Sequence, residues 1–228
     1  MPPNQLRTIT GLVLLAAVCV FGIGMMLDGM PMWIDDLVAN STLAHRGSGL
    51  TSVVREVTLM FSPLAVTIWT VCAAAFFVVR DRTLRRAFPL VASVAVAGVI
   101  GELVKIVVHR HRPPIAYQLG TVETTYSYPS GHLTGTTTFV FAVALIATTQ
   151  SSRIVRIAAL SGAALITLVA ACTRIYLGVH WVTDVVAGVC VGVAVALVVP
   201  IWAEKLLRIV AAHSPDRLGR HIFPAVPQ

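Results

Sequence analysis

Three short polar groups in this chain carry side chains that could act together on one substrate. Lys105 and Arg112 stand seven positions apart in KIVVHRHRP, on one face of a helix and about 10 Å apart along its axis if the helix persists. Long side chains, or an unwinding before Pro113, would let both reach one anion. Snorkelling of basic residues from a helix end toward headgroups fits the same pair. Ser130, Gly131 and His132 follow Pro129, immediately before an apolar run that begins at Leu133. A helix starting there would offer a phosphate its free N–H groups and positive dipole end, a donating Ser130 hydroxyl, and a glycine that lets the backbone come close. An ordinary N-cap followed by an interfacial histidine is the plainer reading.

The third group is TRIYLGVHWVTD, in which His180 and Asp184 are four apart. On one face of a helix the carboxylate would hold one imidazole nitrogen, fix the tautomer and leave the other nitrogen free. A structural His–Asp pair is the alternative, since an aspartate inside a span costs about 2.5–3.5 kcal/mol and requires a partner. Arg174 lies six residues before His180, across a turn containing Gly178. Together the groups supply three cations, a helix start, a carboxylate-oriented imidazole and a second imidazole. Those parts suffice for phosphoryl transfer without a metal: clamps for the oxygens, a nucleophile and a general acid.

The elements that must position these residues are membrane spans. The chain is 57% apolar and 12% charged, where a soluble domain carries about 25% charge. Its apolar residues form six runs, 9–27, 53–79, 87–108, 133–149, 154–172 and 179–203, each near or above the roughly 20 residues that cross a bilayer. The expected fold is an all-α, six-transmembrane-helix bundle forming a single domain over residues 1–228, with a helical core at about 9–203 and a tail at 204–228. The fourth and fifth runs, joined around Ser151 and Ser152, read as a tight helical hairpin. The first run is longer than a signal-peptide core and no small-x-small site follows it closely, so it is read as an anchor.

Arg7, Arg80, Arg82, Arg85, Arg86, Arg153, Arg156, Lys205, Arg208, Arg217 and Arg220 fall on one side, eleven of the seventeen basic residues. That side, with both termini, is expected to be cytoplasmic. Topology therefore accounts for the net charge of +7 without a nucleic-acid partner. Lys105, Arg110, Arg112 and Arg174 break the pattern by clustering on the opposite side, with the three polar groups.

The series Lys105-x6-Arg112-Pro113, Pro129-Ser130-Gly131-His132 and Arg174-x5-His180-x3-Asp184 resembles the three-part signature of the type-2 phosphatidic acid phosphatase superfamily. The motifs occupy about a third of the chain, and the six-span frame extends the likeness to nearly all of it. One departure is Thr173 before Arg174, where that family usually has serine; the hydroxyl is kept. The resemblance implies that His180 is the nucleophile and forms a phosphohistidine, with Asp184 orienting it. His132 would protonate the leaving oxygen and later activate water. Lys105, Arg112, Ser130, Gly131 (through its N–H) and Arg174 would hold the phosphate oxygens, with no metal and no cofactor.

The implied partners are the bilayer and a lipid phosphate. The implied place is the extracytoplasmic face of a bacterial cytoplasmic membrane. Undecaprenyl (polyprenyl) diphosphate is the favoured substrate, with phosphatidylglycerophosphate and phosphatidic acid close behind. Transfer of the phosphoryl group to another lipid or sugar uses the same site. A transporter would spread ionisable residues through the bundle, whereas here they gather at one face. The haloperoxidases on this scaffold are soluble, which sets them apart from this chain.

Other features read as structural. Cys19, Cys72, Cys172 and Cys190 lie in or at the ends of apolar runs, as small fillers of helix packing. Gly188 and Gly192 make a helix-packing face, and Glu102 pairs with Lys105. His109 and His111 neighbour headgroups, and Tyr126, Tyr128, Tyr176 and Trp181 belong to an interfacial belt. The outer segment 28–50 either lies on the membrane surface through Met32, Trp33, Ile34 and Leu37 or is a plain connector.

Overall fold

A computed structural model describes residues 2–27, 32–120 and 122–213. Among them are eight α-helices, a short 3-10 turn at Ile115–Tyr117 and no strand. The helices are α1 (Pro3–Met26), α2 (Trp33–Ala44), α3 (Ser48–Leu59), α4 (Pro63–Asp81), α5 (Ala87–Val108), α6 (Gly131–Ala147), α7 (Arg153–Tyr176) and α8 (Val182–Ala212). Helices α1, α4, α5, α7 and α8 are long and apolar enough to cross a membrane, while α6 has 17 residues. The tail expected at 204–228 is instead helical through Ala212, because α8 runs on past 203. Residues beyond 213, with Arg217 and Arg220, lie outside the described residues, as do residues 28–31 of the outer segment.

The expected span at 53–79 is two elements. Pro63 has no N–H to extend a helix, and Ser62 caps the new one by accepting from the Ala65 N–H at 3.2 Å. Its first residues belong to α3, which carries Arg55 and Glu56 on its exposed surface. The last span begins at Val182 rather than 179, so His180 precedes the helix instead of sitting on it. Helix α7 runs on to Tyr176 and carries Arg174 in its last turn. The α6–α7 hairpin forms as expected, with Ser152 capping α7.

Helix α8 is the central post, packed against α6, α1 and α5. Val18, Ala97, Tyr128, Val191 and Val195 fill the space between α1, α5 and α8. Phe77, Leu90, Ala142 and Ala196 do so between α4, α5, α6 and α8. The Gly188–Gly192 face brings α6 close. A Cβ at Gly188 would lie 2.8 Å from the Ser130 carbonyl oxygen, and one at Gly192 would lie 2.6 Å from Thr137 Cβ. Three of the four cysteines, Cys19, Cys72 and Cys172, are exposed on the bundle's outside and do not fill packing gaps. Glycine and alanine take the close contacts, leaving cysteine to the outward face.

Arg7, Asp81, Arg86, Gln150 and Glu204 line one cleft. The start of α1, the α4–α5 and α6–α7 turns and the end of α8 therefore share one end of the bundle. The loops after α5 and α7, with α2 and α3, gather at the other.

Candidate active site

The three polar groups converge at that second end, and local chain chemistry explains how. His109 adopts a left-handed conformation (φ 51°) and closes α5, its N–H donating to the Lys105 carbonyl at 3.0 Å. The chain then runs non-helically into Pro113, which frees Arg112 from the helix face and swings it over the bundle. Of the routes by which Lys105 and Arg112 could approach one anion, unwinding is the one taken. Arg112 is fixed by donating to the Thr125 carbonyl at 2.7 Å and the Val179 carbonyl at 2.7 Å.

Lys105 stays in the last turn of α5, paired with Glu102 at 2.7 Å as expected. Its Nζ lies 3.3 Å from where a Gly131 Cβ would be. A side chain at 131 would therefore press on the lysine at the mouth of α6. Ser130 is the N-cap of α6, but its hydroxyl makes no capping bond and is buried without a partner among the described residues. Its own N–H donates to the Asp184 carbonyl at 3.0 Å, tying the start of α6 to α8. The first-turn N–H groups of α6 have no intrahelical acceptors and no side-chain cap.

His180 sits in the two-turn gap between α7 and α8, which Gly178 makes possible. Gly178 has φ +67°, and a Cβ there would lie 2.2 Å from the Tyr117 carbonyl oxygen. The His180 ring is buried, with Nδ1 3.4 Å from Asp184 Oδ2. Nε2 accepts from Arg112 Nη1 at 3.0 Å. Asp184 is wholly buried and also accepts from the Trp181 N–H at 3.0 Å. Burial pushes the His180 imidazole down to about 4; the Asp184 hydrogen bond and charge oppose this, and Arg112 and Arg174 add to it. The ring is therefore neutral near pH 7, with a lone pair on Nε2 directed at the cations.

Arg174, 3% exposed, reaches the same space from α7. Its Nη1 donates to Thr58 Oγ1 at 3.3 Å, and its Nε is buried without a partner among the described residues. His132 is half-buried in the first turn of α6, within reach of the charges of Arg174, Glu123, His180 and Arg112. All eight expected site residues thus meet at one end of the bundle. Among the described residues no group of three or more His, Cys, Asp or Glu side chains could hold a metal ion.

Sequence reasoning passed over Glu123, Arg110 and Asp35. Glu123 bridges the two arginines, with Oε2 2.8 Å from Arg112 Nη1 and Oε1 bonded to Arg174 Nη2. Burial alone would raise its carboxyl, but Arg174 and Arg112 overcome this and hold it below the usual carboxylate range. Its carboxylate is the negative charge that these two cations share. An acid in the polar loop between two basic motifs was the available signal. The sequence places Arg110 in the basic cluster without a role, and Asp35 only in an outer segment that reads either as surface-lying or as a plain connector. The aromatic belt also needs correction. Tyr128 is fully buried and donates to the Val18 carbonyl at 2.8 Å, so it is a core residue and not part of that belt.

A multi-pass membrane bundle with a cluster of cations beside a carboxylate-held imidazole is the class that these observations define. The chain belongs to the PAP2 superfamily, whose family model matches residues 86–208. Over 122 residues it is 36% identical to a protein of Sulfolobus acidocaldarius named undecaprenyl-diphosphatase, covering 52% of this chain and 55% of that protein. The chain thus spans about half the length of the curated relative it matches. Its fold is shared with the crystal structure of the first transmembrane PAP2 type phosphatidylglycerolphosphate phosphatase from Bacillus subtilis. The TM-score is 0.68 at 21% identity, covering 90% of this chain and 98% of that one.

Proposed function

We propose that this protein is a metal-independent phosphatase of membrane lipid phosphates, acting through a phosphohistidine on His180. The observation that carries the reading is the neutral His180 Nε2, aimed at Arg112 and Arg174, which already grip a carboxylate. Phosphate would replace that carboxylate and also meet Lys105, the Ser130 hydroxyl and the Gly131 N–H. Nε2 attacks phosphorus as the bond to the lipid oxygen breaks. His132 gives that oxygen its proton, then takes one from the water that cleaves the phosphorus–nitrogen bond. Asp184 supports the positive ring between the two steps.

A polyprenyl diphosphate is the favoured substrate, supported by the 36% identity with a protein named undecaprenyl-diphosphatase. Phosphatidylglycerophosphate is the second reading, suggested by the name of the shared-fold protein. Six crossings follow if α6, about 25 Å long, is counted as a span. With the Arg85–Arg86 turn and both chain ends cytoplasmic, the site faces the extracytoplasmic side. The single-domain reading of residues 1–228 rests on the same bundle.

The test is phosphate release by purified protein in detergent with EDTA, comparing undecaprenyl diphosphate, phosphatidylglycerophosphate and phosphatidic acid. Release that His180→Ala abolishes is expected, with the diphosphate fastest. Release surviving that substitution would overturn the histidine mechanism. A phosphorylated acceptor in place of free phosphate would make the protein a transferase.

A further inference from the structure

Behind the His180–Asp184 pair lies a second charged group that phosphate chemistry does not require. Asp35, on the outer helix α2, is 1% exposed, and Arg110 is nearly buried. Arg110 Nη2 donates to Asp35 Oδ2 at 2.6 Å, and its Nη1 donates to Asp184 Oδ1 at 2.5 Å and to Thr183 Oγ1 at 2.6 Å. Asp35 also accepts from the Thr183 N–H at 3.0 Å and the Thr183 hydroxyl at 2.7 Å. Thr183 N–H is a first-turn donor of α8 with no intrahelical acceptor, so Asp35 caps α8 from another helix. The Trp181 ring stacks under the Arg110 guanidinium at 5.6 Å.

We propose that Arg110 and Asp35 are positioning residues for the His180–Asp184 pair, which makes helix α2 part of the active site. Asp184 has two oxygens to aim. Arg110 occupies Oδ1, leaving Oδ2 to the Trp181 N–H and His180 Nδ1. Without Arg110 the carboxylate can turn and the imidazole loses its fixed tautomer. Asp35 acts through Arg110, setting the guanidinium plane and anchoring the first turn of α8. The proposal rests on the reading of His180 as nucleophile. It gives the outer segment a role beyond connecting or lying on the membrane.

The experiment follows His180 itself, by 15N-histidine NMR titration of the full chain in detergent, with His180→Ala assigning the signal. The charged groups facing the ring are Asp184 from α8, Arg112 and Glu123 from the loop after α5, Arg174 from α7 and His132 from α6. These stay constant across the variants. Removing the Arg110 charge favours the protonated ring, so Arg110→Gln should raise the His180 midpoint by about one pH unit. It should also lower kcat at least about tenfold with KM within about twofold, because Arg110 does not touch substrate. Arg110→Lys should recover part of kcat. Asp35→Asn removes a negative charge from behind the ring, so it should lower the His180 midpoint. It should also lower kcat by less than Arg110→Gln, and add little to the kcat loss in the Arg110→Gln background.

An unchanged His180 titration in Arg110→Gln, or a loss confined to KM, would overturn the proposal. If Arg110→Gln does not fold, Asp35→Asn decides: a lowered His180 midpoint with a lower kcat at near-constant KM supports the positioning role, and an unchanged titration or a loss confined to KM overturns it. If the titration moves as expected but the wild type releases no phosphate, the positioning role stands and the phosphatase reading fails.

Discussion

Glu123→Gln tests whether the cation cluster is an anion site with its own carboxylate in residence. In the resting protein this side chain spans Arg112 and Arg174, so an incoming phosphate must displace it. Glutamine keeps one carbonyl oxygen for one guanidinium and turns an amide N–H2 toward the other. The competitor therefore loses about one charge-assisted bond, worth roughly 1.5–3 kcal/mol. Glu123 remains 28% exposed, which places the loss at the lower end. At about 1.4 kcal/mol per factor of ten, orthovanadate or inorganic phosphate should bind about tenfold tighter to the variant. Without anion the variant should melt earlier than wild type, because two buried guanidiniums have lost their shared charge; saturating phosphate should close that gap. Thermal unfolding in detergent across a vanadate titration reads both effects. The Glu123 carboxyl is held below the usual range, so it stays charged from about pH 5 to 8. The ratio of affinities should be flat there and narrow only at more acidic pH. Unchanged or weaker vanadate binding in Glu123→Gln would refute the competition and leave Glu123 as a brace for the arginines.

Two further perturbations follow from the same geometry. Burial takes His180 from 6.5 to about 4, so the unfolded chain binds that proton first as pH falls. Its contribution to stability is complete above about 6.5 and declines toward about 4; thermal midpoints against pH should lose part of this slope in His180→Asn. Gly188→Ala would drive a Cβ to 2.8 Å from the Ser130 carbonyl oxygen and 2.9 Å from Leu133 Cβ. It should destabilise the protein by about 1–3 kcal/mol and weaken vanadate binding, because the start of α6 must move. Gly162→Ala on α7 has nothing within 4 Å and should do neither.

The convergence of the three polar groups was legible because their parts are local. Ser130–Gly131–His132 is one turn, His180 and Asp184 are four apart, and Arg174 sits one connection earlier. The helices were legible from long apolar runs, and the break hidden in one run shows the limit. Residues 53–79 are apolar enough to hide a break at Ser62–Pro63, since hydropathy averages over a cap that depends on one hydroxyl and one missing N–H. Glu123, Arg110 and Asp35 were not legible because their meaning is entirely tertiary. Asp35 meets Arg110 and Thr183 across about 75 and 150 residues of chain. Nothing local distinguishes it from Asp36, its exposed neighbour on α2. Tyr128 misled for a related reason: a tyrosine beside a helix start resembles an interfacial anchor until α1 is known to pack over it.

The charges around His180 divide into two sets with opposite surpluses, and the division accounts for which contacts are permanent. Arg110 lies between two carboxylates, Asp35 and Asp184, so the set behind the ring carries one extra negative charge. Both acids are almost completely buried, where a surplus is costly unless donors surround it. The Trp181 and Thr183 N–H groups and the Thr183 hydroxyl supply those donors. That negative surplus faces Nδ1, on the ring that would turn positive in the proposed phosphohistidine. In front of the ring the balance is reversed. Arg112 and Arg174 share one carboxylate, leaving one extra positive charge, and Lys105 stands beside Gly131 with an exposed partner. A single glutamate cannot neutralise that front, whereas a phosphate dianion can. On the proposed function, charge balance would therefore favour the exchange of Glu123 for a phosphate dianion. The rear set is already satisfied by its donors, so on the proposed mechanism the rearrangement falls at the front, where Glu123 leaves the two arginines and Arg112 Nη1 gives up His180 Nε2.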